Sequence, residues 1–295
     1  MKVLISGCSG FLGHYIAKQS INKGYETYGI DIISSDIDNL KFDKINLLKK
    51  DNVNSIVNTI KPDYVYNLSA LSDIDHCIEE PLECINSNIV GNAHLIEACI
   101  KNKVNRYVFA SSVYASGNYG GFYATSKKSS EMLIKNYNNF YGLNYSILRY
   151  GTLFGTKAPI TNSIKKYLSQ AFKENKIDYT GDGSEIREYI HIEDAAKLSI
   201  DILNKDFENK TISITGNHKV KTEDLFIMIN SILDNKVDIN YNKKISTGRS
   251  NSHYKVSPHS YIRDNIYSLS TSFNRELGDS LIEILEEIEI ENSSK

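Results

Sequence analysis

The amino-acid sequence predicts an α/β protein, a doubly wound parallel sheet with a smaller mixed α/β unit at its C-terminal side. Three observations carry that prediction. Through residue 150, short β-rich runs alternate with helical patterns of about ten residues or more, as expected of parallel strands joined by crossover helices. Gly7, Gly10 and Gly13 recur at every third position of the first strand-to-helix turn. Asp31 closes the second strand, 18 residues after Gly13.

Taken in chain order, KVLIS (2–6) is an apolar, β-branched strand and FLGHYIAKQSINK (11–23) a helix that stops at Gly24 in the C′ position. YETYGID (25–31) is a second strand. DNVNSIVNTI (51–60) is a helix, separated by Lys61-Pro62-Asp63 from the strand DYVYNL (63–68), because proline cannot continue a helix. NIVGNAHLIEACIKN (88–102) is helical, RYVFAS (106–111) a strand, YATSKKSSEMLIKNYNNFY (123–141) a helix and YSILRY (145–150) a strand. After Tyr150 the pattern loosens. A helix near 161–175, the segment GDGSEIREYIHIEDAAKLSIDIL (181–203), the strand-like TISITG (211–216) and helices near 222–233 and 278–289 follow. The polar stretch 241–260 holds Tyr241, Tyr254 and His253, which favours a structured loop over a linker.

Composition excludes several classes. A net charge of −2 gives no basic excess for nucleic acid or a membrane surface. No apolar run approaches the roughly 18 residues of a membrane span, and the apolar run in MKVLISGCSG is too short for a secretory signal. Cys8, Cys77, Cys84 and Cys99 lack CxxC spacing, so no metal site is expected and a reducing, cytoplasmic setting is.

The chemistry starts at the glycines. A side chain at this turn would keep a pyrophosphate away from the backbone amides, and the helix that opens there supplies partial positive charge. A carboxylate at Asp31 can accept from both adenosine ribose hydroxyls and repels a 2′-phosphate. Neither Ile32 nor Ile33 could neutralise one, so the expected cofactor is NAD(H) rather than NADP(H). Residues 1–150 therefore read as a dinucleotide-binding domain to which the chain returns near 189–215. Residues 151–188 and 216–295 read as the substrate-binding part.

Tyr123 stands four residues before Lys127, the only such spacing among 20 tyrosines. Asn67-Leu68-Ser69-Ala70 follows the fourth strand, Ser111-Ser112 the fifth, and Asn88-Ile-Val-Gly91 opens a helix. Leu148-Arg149-Tyr150 and Gly181-Asp-Gly-x-x-x-Arg187-x-Tyr-Ile-His-Ile-x-Asp194 come later. In this order the motifs resemble the extended short-chain dehydrogenases/reductases, and among them the nucleotide-sugar epimerases related to UDP-glucose 4-epimerase. The resemblance runs from residue 2 to about 200. It implies a Rossmann fold, NAD, a nucleoside-diphosphate sugar substrate and a homodimer formed through helices near 88–101 and 123–140.

The same resemblance assigns roles. Ser112, Tyr123 and Lys127 are the catalytic set. Tyr123 exchanges a proton with a sugar hydroxyl while a hydride leaves or joins the same carbon. Ser112 orients the reacting oxygen, and Lys127 holds the nicotinamide ribose. A phenol that ionises near pH 10 must fall about three units to work near neutrality, roughly 4 kcal/mol, and a nearby ammonium with the positive nicotinamide is expected to supply that. Around the cofactor the expected contacts are Gly7, Gly10, Phe11, Leu12 and Gly13 at the turn and Asp31 and Ile32 at the ribose. Asn46 and Leu47 belong near adenine, Leu68, Ser69 and Ala70 along the dinucleotide, and Tyr150 near the nicotinamide. On the substrate side stand Ser72, Asn88, Ser112 and Thr152, with Arg187 and Arg249 for the diphosphate because a guanidinium matches phosphate oxygens in a bidentate way.

Three departures shape the expectation. The segment between Ser112 and Tyr123 is short. Thr152 replaces the family's usual Asn. Val113 and Tyr114 follow Ser112 where 4,6-dehydratases carry Asp-Glu. The expected function is an NAD-dependent nucleotide-sugar epimerase in activated-sugar metabolism, acting at C4. A ketoreductase using NAD(P)H is the alternative, and a non-catalytic NAD sensor is disfavoured by the intact Tyr-Lys pair. His191 and His253 stay outside the catalytic set.

Overall fold

A computed structural model describes residues 1–117, 119–216, 219–242, 267–269 and 276–293. Along its central strands, alternate side chains enter two different cores. On one face Val3, Ile5, Tyr66, Val108, Leu148 and Ile212 pack together. On the other, Leu4, Val65, Tyr107, Phe109 and Ile147 do the same. Strands buried on both faces this way require helices on both sides.

The strands are β1 (Lys2–Ser6), β2 (Glu26–Asp31), β3 (Lys41–Lys44), β4 (Tyr64–Asn67), β5 (Arg106–Ser112), β6 (Tyr145–Tyr150), β10 (Lys210–Ile214) and β13 (Tyr267–Leu269). Their order in the sheet is β13-β10-β6-β5-β4-β1-β2-β3, and every neighbouring pair is parallel. The run from β3 to β6 has the 3-2-1-4-5-6 order of the Rossmann fold. Helix α1 (Phe11–Asn22) packs against α8 (Ile192–Asp201) on one face. Helices α2 (Lys50–Ile60), α5 (Gly91–Lys101) and α6 (Gly121–Tyr141) cover the other.

Several elements differ from the sequence reading, among them three in or beside the main sheet. β3 was not expected: its segment KFDK is nearly all exposed, an edge strand held by pairing with β2 and lacking an apolar pattern. The helix expected from residue 88 begins earlier, as short helices α3 (Ile74–Glu79) and α4 (Pro81–Ile85) and a π-helical turn over Asn86–Val90 that runs into α5. β13 adds a strand beyond β10 from late in the chain.

The remaining elements form a smaller unit. β7 (Thr152–Phe154), β9 (Ile186–His191) and β11 (Lys219–Lys221) make a three-stranded sheet, and β8 (Lys176–Thr180) pairs with β12 (Asp238–Asn242). Helices α7 (Ser163–Glu174), α9 (Thr222–Ile232) and α10 (Leu277–Ser293) bury Ile164, Leu168, Phe226, Ile229, Leu281 and Ile284 against Tyr179 and Tyr189. Asn162 caps α7 by accepting from the amides of Ile164 and Lys165. Among the described residues no helix is long and apolar enough to cross a membrane, and no group of three or more His, Cys, Asp or Glu could hold a metal ion.

Candidate active site

In a sheet of this order a crevice opens at the carboxyl ends of β1 and β4, where successive connections leave on opposite faces. The three glycines line it, and the structure separates their reasons. At Gly7, φ is +76°, and a Cβ would lie 2.6 Å from the Ser69 amide nitrogen. At Gly13, a Cβ would lie 1.9 Å from the Gly7 carbonyl oxygen. Packing within the chain alone excludes side chains at these two positions. At Gly10, a Cβ would meet only the Gly7 oxygen, at 3.3 Å, and otherwise open space. Gly10 is also the N-cap of α1, and no side chain caps that helix. An exposed, uncapped helix N-terminus beside bare backbone fits the pyrophosphate of a dinucleotide.

Asp31 sits at the end of β2 with its carboxylate turned back on this loop. It accepts from the amides of Ser9 at 3.0 Å, Ile32 at 2.7 Å and Ile33 at 3.3 Å. A carboxylate has about four acceptor sites. Three are committed within the chain, which fixes the side chain and leaves about one for a ribose hydroxyl. Ile32 and Ile33 are exposed and apolar. The floor beneath is polar: Ser6 Oγ donates to Asn67 Oδ1 at 2.8 Å, and Asn67 Nδ2 donates to Asn92 and Tyr107. The loop of Leu68, Ser69 and Ala70, half-buried, crosses directly over Gly7.

The second cluster lies at the end of β5. Lys127 is buried, donates from Nζ to the Ala110 carbonyl at 2.7 Å, and lies 5.8 Å from the centre of the Tyr123 ring. Ser112 lies close enough to the Tyr123 phenol to lower its value, and its Oγ accepts from the Tyr114 amide at 3.3 Å. The Ser111 hydroxyl instead donates to Glu131. The Tyr114 ring packs edge-on against Tyr123, 6.3 Å between centres. Burial pushes the phenol of Tyr123 up to about 12; the nearby Ser112 hydroxyl opposes this, and the Cys77 and Cys84 thiols add to it. Burial pushes Lys127 down to about 8, against Cys84, Cys77 and Glu131. The lowering expected from Lys127 together with the positive nicotinamide belongs to the loaded site. In the chain alone desolvation prevails, so near neutrality the resting pair is a neutral phenol beside an ammonium.

The other expected residues divide. Asn46 is exposed, and its side chain accepts from the Leu48 amide in a local turn. Leu47 is buried and offers its carbonyl to His94. Tyr150 is buried in the α1–α8 core with its hydroxyl bonded to Ser199 at 2.7 Å, in register with Ser112 on the neighbouring strand. Asn88, expected at the substrate, is a strut: it accepts from the Leu71 amide and donates to the Leu71 carbonyl, Ser126 and Cys84. Ser72 is exposed on the loop between β4 and α3. Thr152 and Arg187 lie on the small sheet, in β7 and β9, with Arg187 close enough to temper the raised phenols of Tyr167 and Tyr179. Arg249, His253 and most of 241–260 lie outside the described residues.

Two residues with no assigned role join this cluster. Glu131 follows Lys127 by one further helical turn, and Arg149 faces it from β6, paired in register with Ser111. The signal for Glu131 was the stripe Tyr123, Lys127, Glu131 at steps of four.

Known proteins resemble this chain in sequence and in fold. The model of the NAD dependent epimerase/dehydratase family matches residues 3–215. A UDP-glucuronate 4-epimerase of Thermodesulfobacterium geofontis is 28% identical over 226 residues, 67% of this chain and 70% of that protein. Protein CapI of Staphylococcus aureus is 27% identical over 233 residues, 70% of each chain. The solved UDP-glucuronic acid 4-epimerase of Bacillus cereus, in complex with UDP-glucuronic acid and NAD, superposes with a TM-score of 0.83 at 20% identity, covering 98% of this chain and 99% of that one.

Proposed function

The chain belongs to the NAD-dependent epimerase/dehydratase family, and from that premise we propose that it inverts a carbinol carbon, C4, of a nucleoside-diphosphate sugar. The observation that carries this reading is the assembly of Ser112, Tyr123 and Lys127 at the end of β5, beside the open Gly10 cradle. NAD supplies the hydride acceptor and donor when bound. The remaining work falls to the chain. Tyr123 takes the hydroxyl proton and returns it, Ser112 holds the reacting oxygen toward Tyr123, and Lys127 contributes fixed positive charge. For the phenol to reach the phenolate near neutrality, its raised value must fall, and the positive charge arriving with the oxidised cofactor has the right sign. Proton transfer is thereby tied to a loaded site.

The two UDP-glucuronate epimerases named above act on or bind a UDP-sugar, which supports a nucleotide diphosphate as the handle, with Arg187 as its cation. Elimination of water finds no support at Ser112: the next two residues, Val113 and Tyr114, are buried and carry no carboxylate. A homodimer is part of the proposal. Leu82, Ile85 and Val90 are exposed beside Met132 and Phe140 of α6, an apolar surface that a second copy would cover. The four cysteines are free and buried, which suits a reducing cytoplasm.

The test is absorbance near 340 nm with a panel of UDP-, GDP-, dTDP- and CDP-sugars, with NAD or NADH added and sugar products followed by NMR. A new sugar isomer without net change in absorbance is expected. Stoichiometric loss of NADH with a keto sugar would make the chain a reductase instead.

A further inference from the structure

We propose that the buried Glu131–Arg149 pair is a positioning device for the active site, holding the Ser112 end of β5 and the Lys127 turn of α6 in one fixed register. The proposal rests on the reading of Ser112, Tyr123 and Lys127 as the acid/base set. Ser112 ends β5 whereas Tyr123 and Lys127 ride one turn apart on α6, so only tertiary contacts fix the spacing between the two pieces. Glu131 is 3% exposed and projects from the same stripe of α6 as Tyr123 and Lys127. Its Oε1 accepts from Ser111, the residue before Ser112, and from Arg149 Nε at 2.9 Å. Its Oε2 accepts from Arg149 Nη2 at 2.6 Å. Arg149 then donates through Nη1 to Ser116 at 2.8 Å. Ser116 ends the 3-10 turn Val113–Ser116, which carries Tyr114 against Tyr123. One carboxylate and one guanidinium thus join α6, β5, β6 and the turn after Ser112.

Two further observations favour a role in geometry. The N-terminus of α6, which leads into Tyr123, has no side-chain cap and begins on Gly120 and Gly121, both with positive φ. Its hold comes from deeper in the helix: Ser126 donates to the Tyr123 carbonyl, Ser130 to the Asn88 carbonyl, and Glu131 binds Arg149. In addition, a buried ion pair is a poor source of stability, because well-packed apolar residues of similar volume often do as well or better. What a bidentate pair adds is a defined direction and distance.

The decisive variant is Glu131→Leu combined with Arg149→Met, which replaces the pair by apolar volume and strands no charge. The expected protein melts within a few degrees of the parent and keeps its NAD affinity and substrate KM within about threefold. It loses at least tenfold in kcat, and amide hydrogen exchange over 111–117 and 121–127 speeds up at least fivefold. Should that double variant fail to fold, Ser111→Ala with Ser116→Ala removes the two hydroxyls, leaves the pair in place, and should move both readouts in the same direction by a smaller amount. A folded variant whose exchange in these segments equals the parent's, or whose kcat stays within twofold of it, overturns the proposal. Failure of the epimerase reading shows differently, as an unmodified chain that turns over no sugar, and hydrogen exchange then decides alone.

Discussion

The crevice has two halves built on different principles. On the β1 side the chain presents backbone: three glycines, an uncapped helix end and a carboxylate locked by its own loop, all within residues 7–33. On the β5 side it presents side chains, the buried Ser112, Lys127 and Glu131 and the partly buried Tyr123 and Arg149, gathered from β5, α6 and β6. The first half is specified locally and fails through sterics. The second is specified by tertiary packing and fails through charge and protonation.

Substitutions can break that contrast, and the largest effect is expected on the second side. Tyr123→Phe should lower turnover by about 10²–10⁴ while NAD affinity, measured by calorimetry, stays unchanged. Activity that survives without the phenol sinks the mechanism. Next comes Gly13→Ala. A methyl 1.9 Å from the Gly7 oxygen cannot be accommodated without moving backbone, so a loss of roughly 3 kcal/mol or more in urea unfolding is expected, or no folded protein at all.

Lys127 gives a pH signature of comparable size. Its folded value is lowered from 10.5 to about 8. Between those values the unfolded chain holds a proton that the folded chain has released, so stability rises with pH through that window, by roughly 3 kcal/mol. The cofactor-free parent minus Lys127→Met should show this rise between pH 8 and 10, and a flat difference would mean that Lys127 is not desolvated as described.

The smaller effects return to the first side and sharpen it. Gly10→Ala applies the same substitution as Gly13→Ala where the structure leaves room. It should cost less than about 1 kcal/mol of stability yet weaken NAD binding about tenfold. Equal effects at Gly10 and Gly13 would erase the distinction between glycines that serve packing and one that serves a ligand. Asp31→Ala should relax discrimination against NADP by a few fold to tenfold. Unchanged preference would place the ribose contact elsewhere.

The same contrast explains what could be read in advance. The glycine turn, Asp31 and the alternating strands and helices are short-range patterns, and β1, α1, β2, β4, β5, α6 and β6 follow them. β3 escaped because KFDK has no apolar period, and β13 because a three-residue strand gains its identity only from its neighbour. The Tyr-Lys spacing was visible. The direction of its electrostatics was not, since burial of Tyr123 depends on α3 and α4, whose Cys77 and Cys84 come from 39 to 46 residues earlier. Glu131 and Arg149 stand 18 residues apart, and the packing of α6 against β5 and β6 makes them partners.

The order of the main sheet also bears on how the chain is made. Its strands from β3 to β6 are complete once residue 150 has been synthesised, but β10 and β13 arrive only near residues 210 and 267. At about 5–20 residues per second, β6 stands as an open edge for several seconds and the sheet waits for β13 for roughly 6–24 s. During that interval β6, whose residues are mostly buried in the finished fold, offers unpaired backbone to any neighbouring chain. Protection of that edge during synthesis, by slow release from the ribosome or by a bound chaperone, is therefore a demand that this strand order places on the cell.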